Sequence, residues 1–284
     1  MMPQTLIELT GEPKAPILNL MPANGFPPQT YLPMLRGLAG FRALSLPPRA
    51  LWGDQSPPSA YRSWRDAADD LLQGLERYDL RDIVAVGHSL GGVISMLALL
   101  KQPARFRALI MLDPVLLPQE TLDQLAKARE AGRIDAMPLV QGARRRRQVF
   151  DSRDDAYSRF RQKPIFADWS AEALSLYVEH GLRPREYNAG FELCWSPEWE
   201  AHYFATVYHD IWHDLPKLNA LAPTLIIRAE HSDTLPAASF ARARSLLPGA
   251  AFHELRGQGH LFPQAAPQET ARVIAEWLAT RHLP

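Results

Sequence analysis

Short apolar runs alternate with amphipathic segments over much of this chain, and the alternation predicts its secondary structure. Continuous apolar runs are typical of strands buried on both faces, and apolar residues spaced three or four apart are typical of helices that pack on one side. The pattern predicts strands at residues 16–21, 41–46, 83–86, 108–112, 224–229 and 251–255, with an edge strand at 5–10. It predicts helices at residues 30–38, 59–78, 93–100, 236–247 and 268–281. Strands buried on both faces that alternate with helices indicate an α/β fold, with a mostly parallel sheet between two layers of helices.

This alternation stops in the middle of the chain. Residues 117–218 carry helical patterns and no convincing strand. The sequence therefore predicts one α/β core, formed by residues 1–116 and 219–284, and a helical cap inserted at 117–218. Ligands bind at the carboxyl ends of the strands in open α/β sheets, so we expect the cap to lie there.

Residues 83–100 carry no formal charge, which also allows a membrane-spanning segment. Glycines, a histidine and a serine interrupt the stretch, so a buried strand, a turn and a buried helix explain it better. Gly87, Ser89 and Gly91 fall at that turn. A serine between a strand and a helix in this spacing is typical of a catalytic nucleophile, and the glycines allow close packing around it. The N-terminus of the following helix offers free N–H groups to a developing anion.

A serine nucleophile needs a base and a group that orients the base. His260 follows the predicted strand 251–255 on a glycine-rich loop, which makes it the candidate base. Asp233 lies in the loop after strand 224–229 and is the candidate acid, with Glu230 as a weaker competitor. Asp113 ends strand 108–112 and is a genuine rival, although a turn-capping role before a proline also explains it.

The order Ser89, Asp233, His260, with a predicted strand before each residue, resembles the α/β-hydrolase superfamily and its cap-bearing, serine esterase-like branch. The resemblance covers nearly the whole chain and is strongest in the elbow sequence GHSLGG at residues 87–92. It implies an oxyanion hole that includes the N–H of Leu90, the residue after the nucleophile.

The resemblance also implies a second oxyanion donor, from the loop after an earlier strand. That loop usually reads His-Gly-x-Pro in this branch, and here it reads Asn-Gly-Phe-Pro at residues 24–27. Phe26 would then carry the second N–H. Asn24 in place of histidine departs from the family pattern.

Composition limits the possible partners. The 284 residues are 46% hydrophobic and 22% charged, as in ordinary globular proteins. Lys and Arg number 31, as do Asp and Glu, so no net charge favours nucleic acid or an anionic membrane. The single cysteine, Cys194, fits a reducing compartment, and the first residues show no signal-peptide pattern. We therefore expect a cytoplasmic protein.

Three histidines in the predicted cap, His202, His209 and His213, are spaced to share one face of a helix. The helical zinc motif requires a glutamate that is absent here, so no metal site is predicted. His209 could instead face the substrate cavity. The aromatic residues of the cap suit an apolar pocket roof, with Trp195 and Trp199 as candidate substrate contacts.

Four consecutive arginines occupy residues 144–147, and Asp151, Asp154 and Asp155 follow them. Alternating clusters of opposite charge favour a salt-bridged helix surface over a nucleic-acid patch.

These residues predict a serine hydrolase that cleaves a carboxylic ester or lactone through an acyl-enzyme intermediate. The expected substrate is a small, uncharged acyl compound, and no cofactor is implied. Two alternatives remain open: a C–C bond hydrolase that uses the same triad, and a non-catalytic ligand receptor with the same fold.

Overall fold

Ten strands and twelve helices make up the computed structural model, which describes residues 5–52 and 57–281. The strands are β1 (Ile7–Thr10), β2 (Ile17–Met21), β3 (Arg42–Ser45), β4 (Ile83–His88), β5 (Phe106–Leu112), β6 (Val149–Phe150), β7 (Leu182–Pro184), β8 (Phe191–Leu193), β9 (Thr224–His231) and β10 (Ala251–Gly259). The helices are α1 (Leu32–Leu35), α2 (Trp64–Arg77), α3 (Leu90–Lys101), α4 (Gln119–Glu130), α5 (Pro138–Arg144), α6 (Arg153–Arg161), α7 (Ala171–Gly181), α8 (Pro197–Ala205), α9 (Ile211–Asp214), α10 (Ala237–Leu246), α11 (Phe262–Ala265) and α12 (Pro267–Thr280).

Seven of the strands form the central sheet in the order β1-β3-β2-β4-β5-β9-β10. Only the edge pair β1–β3 in this sheet is antiparallel. Alternate residues of β4 enter two separate apolar clusters, with Ala85 facing α2 and α3 and Val86 facing α1 and α12. Burial on both faces explains why these strands read as continuous apolar runs. The predicted mostly parallel sheet between helices is confirmed.

The strand register brings the carboxyl ends of neighbouring strands together. His88 at the end of β4 pairs with Leu112 at the end of β5, and Leu112 pairs with Ile227 in β9. Residues that follow β4 and β5 are therefore neighbours at one edge of the sheet. The loop after β10 returns to the same edge.

Several predicted elements differ from the observed ones at their ends. The predicted helix 59–78 begins only at Trp64, because Ser63 caps it and Asp66 bonds back to the backbone of Ser63 in a capping box. The predicted helix 30–38 is a 3₁₀ turn at Pro28–Tyr31 followed by the single turn α1. Pro33 at its start and a short following loop limit its length.

The segment between β5 and β9 holds α4 to α9 and a second, antiparallel sheet in the order β6-β8-β7. The expectation that this segment lacks strands is therefore wrong. These strands are two or three residues long, too short to show an alternating pattern, and β7 ends in a proline. The outermost residues of the predicted core, 1–4 and 282–284, lie outside the described residues.

The uncharged stretch 83–100 is split between β4 and α3, with a sharp turn between them. In the described part of the chain, no helix has the length and apolar character needed to cross a membrane. The turn is tight enough that a Cβ on Gly87 would lie 2.3 Å from the carbonyl oxygen of Gly91, and one on Gly91 would lie 2.2 Å from that of Met21.

We expect Gly91→Ala to destabilise the protein by about 2 to 3 kcal/mol or to prevent folding, because backbone atoms of β2 must move to admit the methyl group. Gly142→Ala is the matched control. Gly142 also lies in a helix but has open space at its Cβ position, so the substitution should stabilise by about 0.5 to 1 kcal/mol. Urea unfolding of both variants checks this, and equal unfolding free energies would contradict the close packing at the elbow.

Candidate functional site

Ser89 lies at the turn between β4 and α3 with φ 56° and ψ −121°. Few residues other than glycine adopt a positive φ, and such strain clusters at functional sites. The turn is held by hydrogen bonds from the Ser89 N–H to the carbonyl of Leu112, at 2.9 Å, and from the Gly92 N–H to the carbonyl of Ser89, at 3.1 Å. Its hydroxyl does not cap α3, although serine is a common cap. The hydroxyl of this residue, whose backbone is strained, is therefore available for another role.

Asp113 follows β5 and is fully buried, also with a positive φ of 42°. Its Oδ1 accepts a hydrogen bond from the Ala229 N–H at 2.9 Å. Its Oδ2 accepts bonds from Ser232 Oγ at 2.6 Å, from Thr234 Oγ1 at 3.1 Å and from His260 Nδ1 at 2.7 Å. A buried carboxylate is stable only when hydrogen-bond donors surround it, and this one has donors from β9, its following loop and the histidine.

The prediction that Asp233 orients His260 is wrong in this geometry, because Asp113 occupies that position. Ser232 and Thr234, on either side of Asp233 in the chain, both turn their hydroxyls toward Asp113. The side chain between them is not the histidine's partner. The competitor Glu230 accepts a bond from the Gly257 N–H at 2.7 Å, so it anchors the histidine loop and does not contact the ring.

His260 lies directly after β10 and is partly exposed. Its carbonyl accepts a hydrogen bond from His88 Nε2 at 2.9 Å, and the two rings are 4.9 Å apart. Because His88 precedes Ser89, the histidine loop lies against the serine turn. No hydrogen bond joins Ser89 Oγ to His260 among the described residues. The bond of Nδ1 to Asp113 leaves Nε2 as the ring nitrogen that can serve the serine.

The two predicted oxyanion donors differ in their surroundings. Leu90 is the first residue of α3, so its N–H has no acceptor within the helix. The Phe26 N–H donates to the carbonyl of Ala23 at 3.2 Å and closes a β-turn in which Gly25 has a φ of 87°. The Phe26 N–H thus already has one acceptor within the turn, and its role as the second oxyanion donor stays a prediction.

The inserted segment covers this turn with an ion pair. Asn24 Nδ2 donates to the carbonyl of Glu200 at 3.0 Å, and the Glu200 carboxylate pairs with Arg146. Arg146 also bonds the hydroxyl of Tyr177. Burial lowers the pKa of Arg146, but Tyr177 and Glu200 outweigh it and raise that pKa above its usual value. The Arg146 guanidinium beside Gly25 therefore stays charged, and the Glu200 carboxylate balances its charge.

Two of the four arginines at 144–147 form ion pairs, and among the described residues none of these pairs involves the three predicted aspartates. Arg144 pairs with Asp135 and Glu198, and Arg146 pairs with Glu200. Asp155 pairs instead with Arg159, one helical turn away. The segment folds back on itself, so acidic residues distant in sequence are nearer than those that follow the run.

Aromatic residues pack around the 23–26 turn. The Phe26 ring lies 5.6 Å from those of both Trp169 and Tyr177. Trp195 and Trp199 are buried, and they belong to the apolar cluster that also contains Leu90. Their contact with a substrate stays a prediction.

The three cap histidines do not share one helix. His202 lies in α8, His213 lies in α9, and His209 lies in the turn between them. A proline-free but irregular turn after Thr206 breaks the helical spacing that the sequence suggested. The imidazole of His209 bonds the carboxylates of Asp123, at 2.9 Å, and Asp210, at 3.0 Å. Within residues 5–52 and 57–281, no group of three or more histidine, cysteine or acidic residues could hold a metal ion.

The strained serine after β4, the buried carboxylate after β5 and the histidine after β10 lie together at one edge of the mostly parallel sheet, an arrangement compatible with an α/β hydrolase. The profile of the α/β hydrolase family matches residues 20–273. The chain therefore belongs to the α/β hydrolase family.

One relative matches along most of its length. It is the 2-(acetamidomethylene)succinate hydrolase of Mesorhizobium japonicum, 25% identical over 251 residues, which are 86% of this chain and 81% of that protein. A solved structure of E-2-(acetamidomethylene)succinate hydrolase superposes with a TM-score of 0.78 and 21% identity, covering 96% of this chain and 94% of that one. The thioesterase domain from the curacin biosynthetic pathway gives a TM-score of 0.71 at 17% identity, covering 95% and 93%.

A shorter match is with ethanol acetyltransferase 1 of Hanseniaspora uvarum. It is 42% identical over 53 residues, which are 18% of this chain and 16% of that protein. The chain therefore aligns with only a small part of that relative.

The contacts of His209 generate a test of its role. Its bonds to Asp210 and Asp123 raise its pKa above the ordinary value of 6.5. A raised folded-state pKa gives stability that is complete below the ordinary value and is lost as pH rises through the folded value. We therefore expect His209→Gln to lower the unfolding free energy more at about pH 5.5 than at about pH 8.5. Chemical denaturation at both pH values measures this, and Asp123→Asn should reproduce part of the pH dependence. A pH-independent loss would contradict the pairing.

Proposed function

We propose that this protein is a serine hydrolase that cleaves a carboxylic ester or lactone through an acyl-enzyme intermediate on Ser89. The observation that carries the proposal is the hydrogen bond between the buried Asp113 and His260, at 2.7 Å, beside a serine held at a positive φ. Oriented base and strained nucleophile are the two features that a serine hydrolase requires.

In the first half of the reaction, Ser89 Oγ attacks the substrate carbonyl carbon while His260 Nε2 takes the hydroxyl proton. Asp113 holds the ring so that Nε2 faces the serine, and its negative charge stabilises the imidazolium that forms. The Leu90 N–H donates to the oxyanion of the tetrahedral intermediate. The C–O bond to the alcohol then breaks, and His260 gives its proton to the departing oxygen.

In the second half, water attacks the acyl carbon of the ester on Ser89, and His260 takes a proton from that water. The proton returns to Ser89 Oγ as the carboxylic acid leaves. The Phe26 N–H is the second oxyanion donor in this scheme, through a three-centre bond shared with the carbonyl of Ala23. Its 3.2 Å bond within the turn is long enough for such sharing. The mechanism uses no cofactor.

We propose an uncharged acyl substrate of small to medium size. The side chains next to the 23–26 turn are the aromatic rings of Phe26, Trp169 and Tyr177. Arg146, which lies beside Gly25, is already paired with Glu200, so it offers no net charge to a substrate anion. We also propose that residues 117–218 act as the cap and that Trp195 and Trp199 contribute to its apolar surface.

A second candidate substrate comes from the relatives. A protein aligned over 86% of this chain is a 2-(acetamidomethylene)succinate hydrolase. An acetamide linked to a succinate skeleton therefore belongs in the first substrate panel beside neutral esters and lactones. Turnover of that compound alone would move the proposal from ester to amide cleavage, with Ser89, His260 and Asp113 in the same roles.

A non-catalytic receptor is a weaker interpretation. A binding protein has no need of a strained serine, a buried carboxylate with four donors and a histidine between them. The C–C bond hydrolase alternative stays open, since the same three residues can support it.

A fluorophosphonate probe should label the protein on Ser89, because the probe reacts with activated serine hydroxyls. Ser89→Ala should abolish labelling and reduce kcat on the order of 10⁶-fold, as in serine proteases that lose their nucleophile. Ser95→Ala is the matched control, since Ser95 is a buried serine of α3 with no partner for its hydroxyl among the described residues. Mass spectrometry of the labelled peptide locates the adduct. A Ser89→Ala variant that keeps a tenth of the wild-type rate would remove Ser89 from the mechanism.

Exchanging each aspartate for asparagine separates the two acid candidates. Asp113→Asn keeps the shape but favours the wrong imidazole tautomer, so kcat should fall by about 10³- to 10⁴-fold. Asp233→Asn should reduce kcat at most about 10-fold. Kinetics on one ester, with circular dichroism to confirm folding, gives the comparison. The reverse order of the two losses would sink the assignment of Asp113.

A further inference from the structure

Both ring nitrogens of His88 are hydrogen-bonded, although the residue is fully buried and takes no part in the proposed chemistry. Its Nδ1 lies 2.7 Å from the hydroxyl of Tyr31, and its Nε2 lies 2.9 Å from the carbonyl oxygen of His260. The Tyr31 hydroxyl in turn accepts a bond from the Ala23 N–H at 3.0 Å. A continuous chain of hydrogen bonds therefore runs from the 23–26 turn to the backbone of His260.

Only one arrangement of protons fits this chain of hydrogen bonds. The His260 carbonyl can only accept, so Nε2 of His88 must carry a proton. Burial lowers the pKa of His88 to well below its usual value, which leaves the ring neutral and makes Nδ1 an acceptor. Tyr31 must then donate to Nδ1, and burial keeps its hydroxyl protonated by raising its pKa. Every donor in the chain has one acceptor, so the ring of His88 has a fixed tautomer and orientation.

The His260 loop needs such support. Pairing of β10 with β9 is irregular between Leu255 and Gly259, and Gly257 within that stretch has a positive φ of 69°. Asp113 contacts the imidazole of His260 only at Nδ1, which fixes the ring but not the backbone that carries it. The bond from His88 holds that backbone at the carbonyl of His260 itself.

The other end of the hydrogen-bond chain reaches the turn that precedes Pro27. The Ala23 carbonyl accepts the Phe26 N–H, and the Ala23 N–H donates to Tyr31. The 23–26 turn, through Tyr31, and the His260 loop, directly, are therefore both hydrogen-bonded to His88.

We propose that His88 and Tyr31 are positioning residues that fix the catalytic histidine and the 23–26 turn in register with Ser89. This inference rests on the proposed function, since it assigns these residues to the alignment of that site. Neither side chain touches the reacting atoms, so they act through His260 and Ala23. The elbow residue His88 thus connects the nucleophile turn, the base and the turn that flanks the oxyanion.

The competing explanation is that His88 only fills space among buried rings, since Phe262 lies 6.2 Å away. Kinetics separates the two, because a space-filling residue affects stability and a positioning residue affects kcat. His88→Leu keeps the volume but loses both hydrogen bonds. A displacement of His260 by about 1 Å should reduce kcat about 10²-fold and leave KM within about twofold.

Two further variants make the test specific. Tyr31→Phe removes one oxygen atom and leaves Nδ1 of His88 without its donor, while the Nε2–H bond to the His260 carbonyl remains, so kcat should fall less, by about 10-fold. His88→Gln keeps an N–H that can reach the His260 carbonyl, and it should recover a large part of the activity that His88→Leu loses. Ser45→Ala is the structural control, because it removes an equally buried bond, from Ser45 Oγ to the Leu20 carbonyl at 2.7 Å, outside the chain. It should leave kcat unchanged.

The measurements are kcat and KM on one ester, the rate of fluorophosphonate labelling and the nitrogen-15 spectrum of the histidine rings. We expect the wild-type spectrum to show His88 as the neutral Nε2–H tautomer, and the Tyr31→Phe spectrum to keep that tautomer with a shifted Nδ1 resonance, because Nδ1 has lost its hydrogen bond. Labelling at the wild-type rate in Tyr31→Phe, or in folded His88→Leu, would overturn the positioning role and leave the proposed function standing. Wild-type protein that shows the tautomer but is not labelled would overturn the proposed function, and the positioning role with it.

Discussion

The candidate site depends on one fully buried carboxylate, that of Asp113. A buried charge without donors would cost several kcal/mol, so its four hydrogen bonds are a condition of the fold as well as of the site. Their donors lie on β9, on the loop after it and on His260, at the end of β10. Since β5 lies between β4 and β9 in the sheet, this carboxylate also lies beside the turn that carries Ser89. Satisfying a single buried charge thus brings three strand ends together.

Sheet pairing also maintains the strain at the ends of β4 and β5. Ser89 and Asp113 follow neighbouring strands, and both have a positive φ, which costs on the order of 1 to 3 kcal/mol for each residue. In both cases the residue's own N–H bonds to the next strand along: Ser89 to Leu112 at 2.9 Å, and Asp113 to Ile227 at 2.7 Å. The strained residues therefore continue the hydrogen bonding of the sheet, while their side chains leave its plane on the side where the loops gather.

Most of the central sheet could be predicted from the sequence, because burial on both faces leaves a continuous apolar run that is easy to recognise. Ser89 and His260 could be chosen because glycines mark the sharp turns around them. The acid could not be chosen this way, since Asp113 and Asp233 both follow apolar strands, and the side-chain hydrogen bonds to Asp113 that distinguish them leave no pattern in the sequence. The short strands of the inserted segment and the bond that occupies the Phe26 N–H depend on backbone contacts, which leave no pattern in the side chains.

Asn24 departs from the family pattern, and the contacts on the two sides of the 23–26 turn explain its role there. From the core, Tyr31 binds the N–H of Ala23. From the inserted segment, the carbonyl of Glu200 accepts the amide of Asn24 at 3.0 Å, and Arg146 fixes the same glutamate. Glycine has more conformational freedom than other residues, and these contacts restrain the turn that contains Gly25 at a φ of 87°. The inserted segment therefore supports this turn, because α8, which carries Glu200, is hydrogen-bonded to it directly.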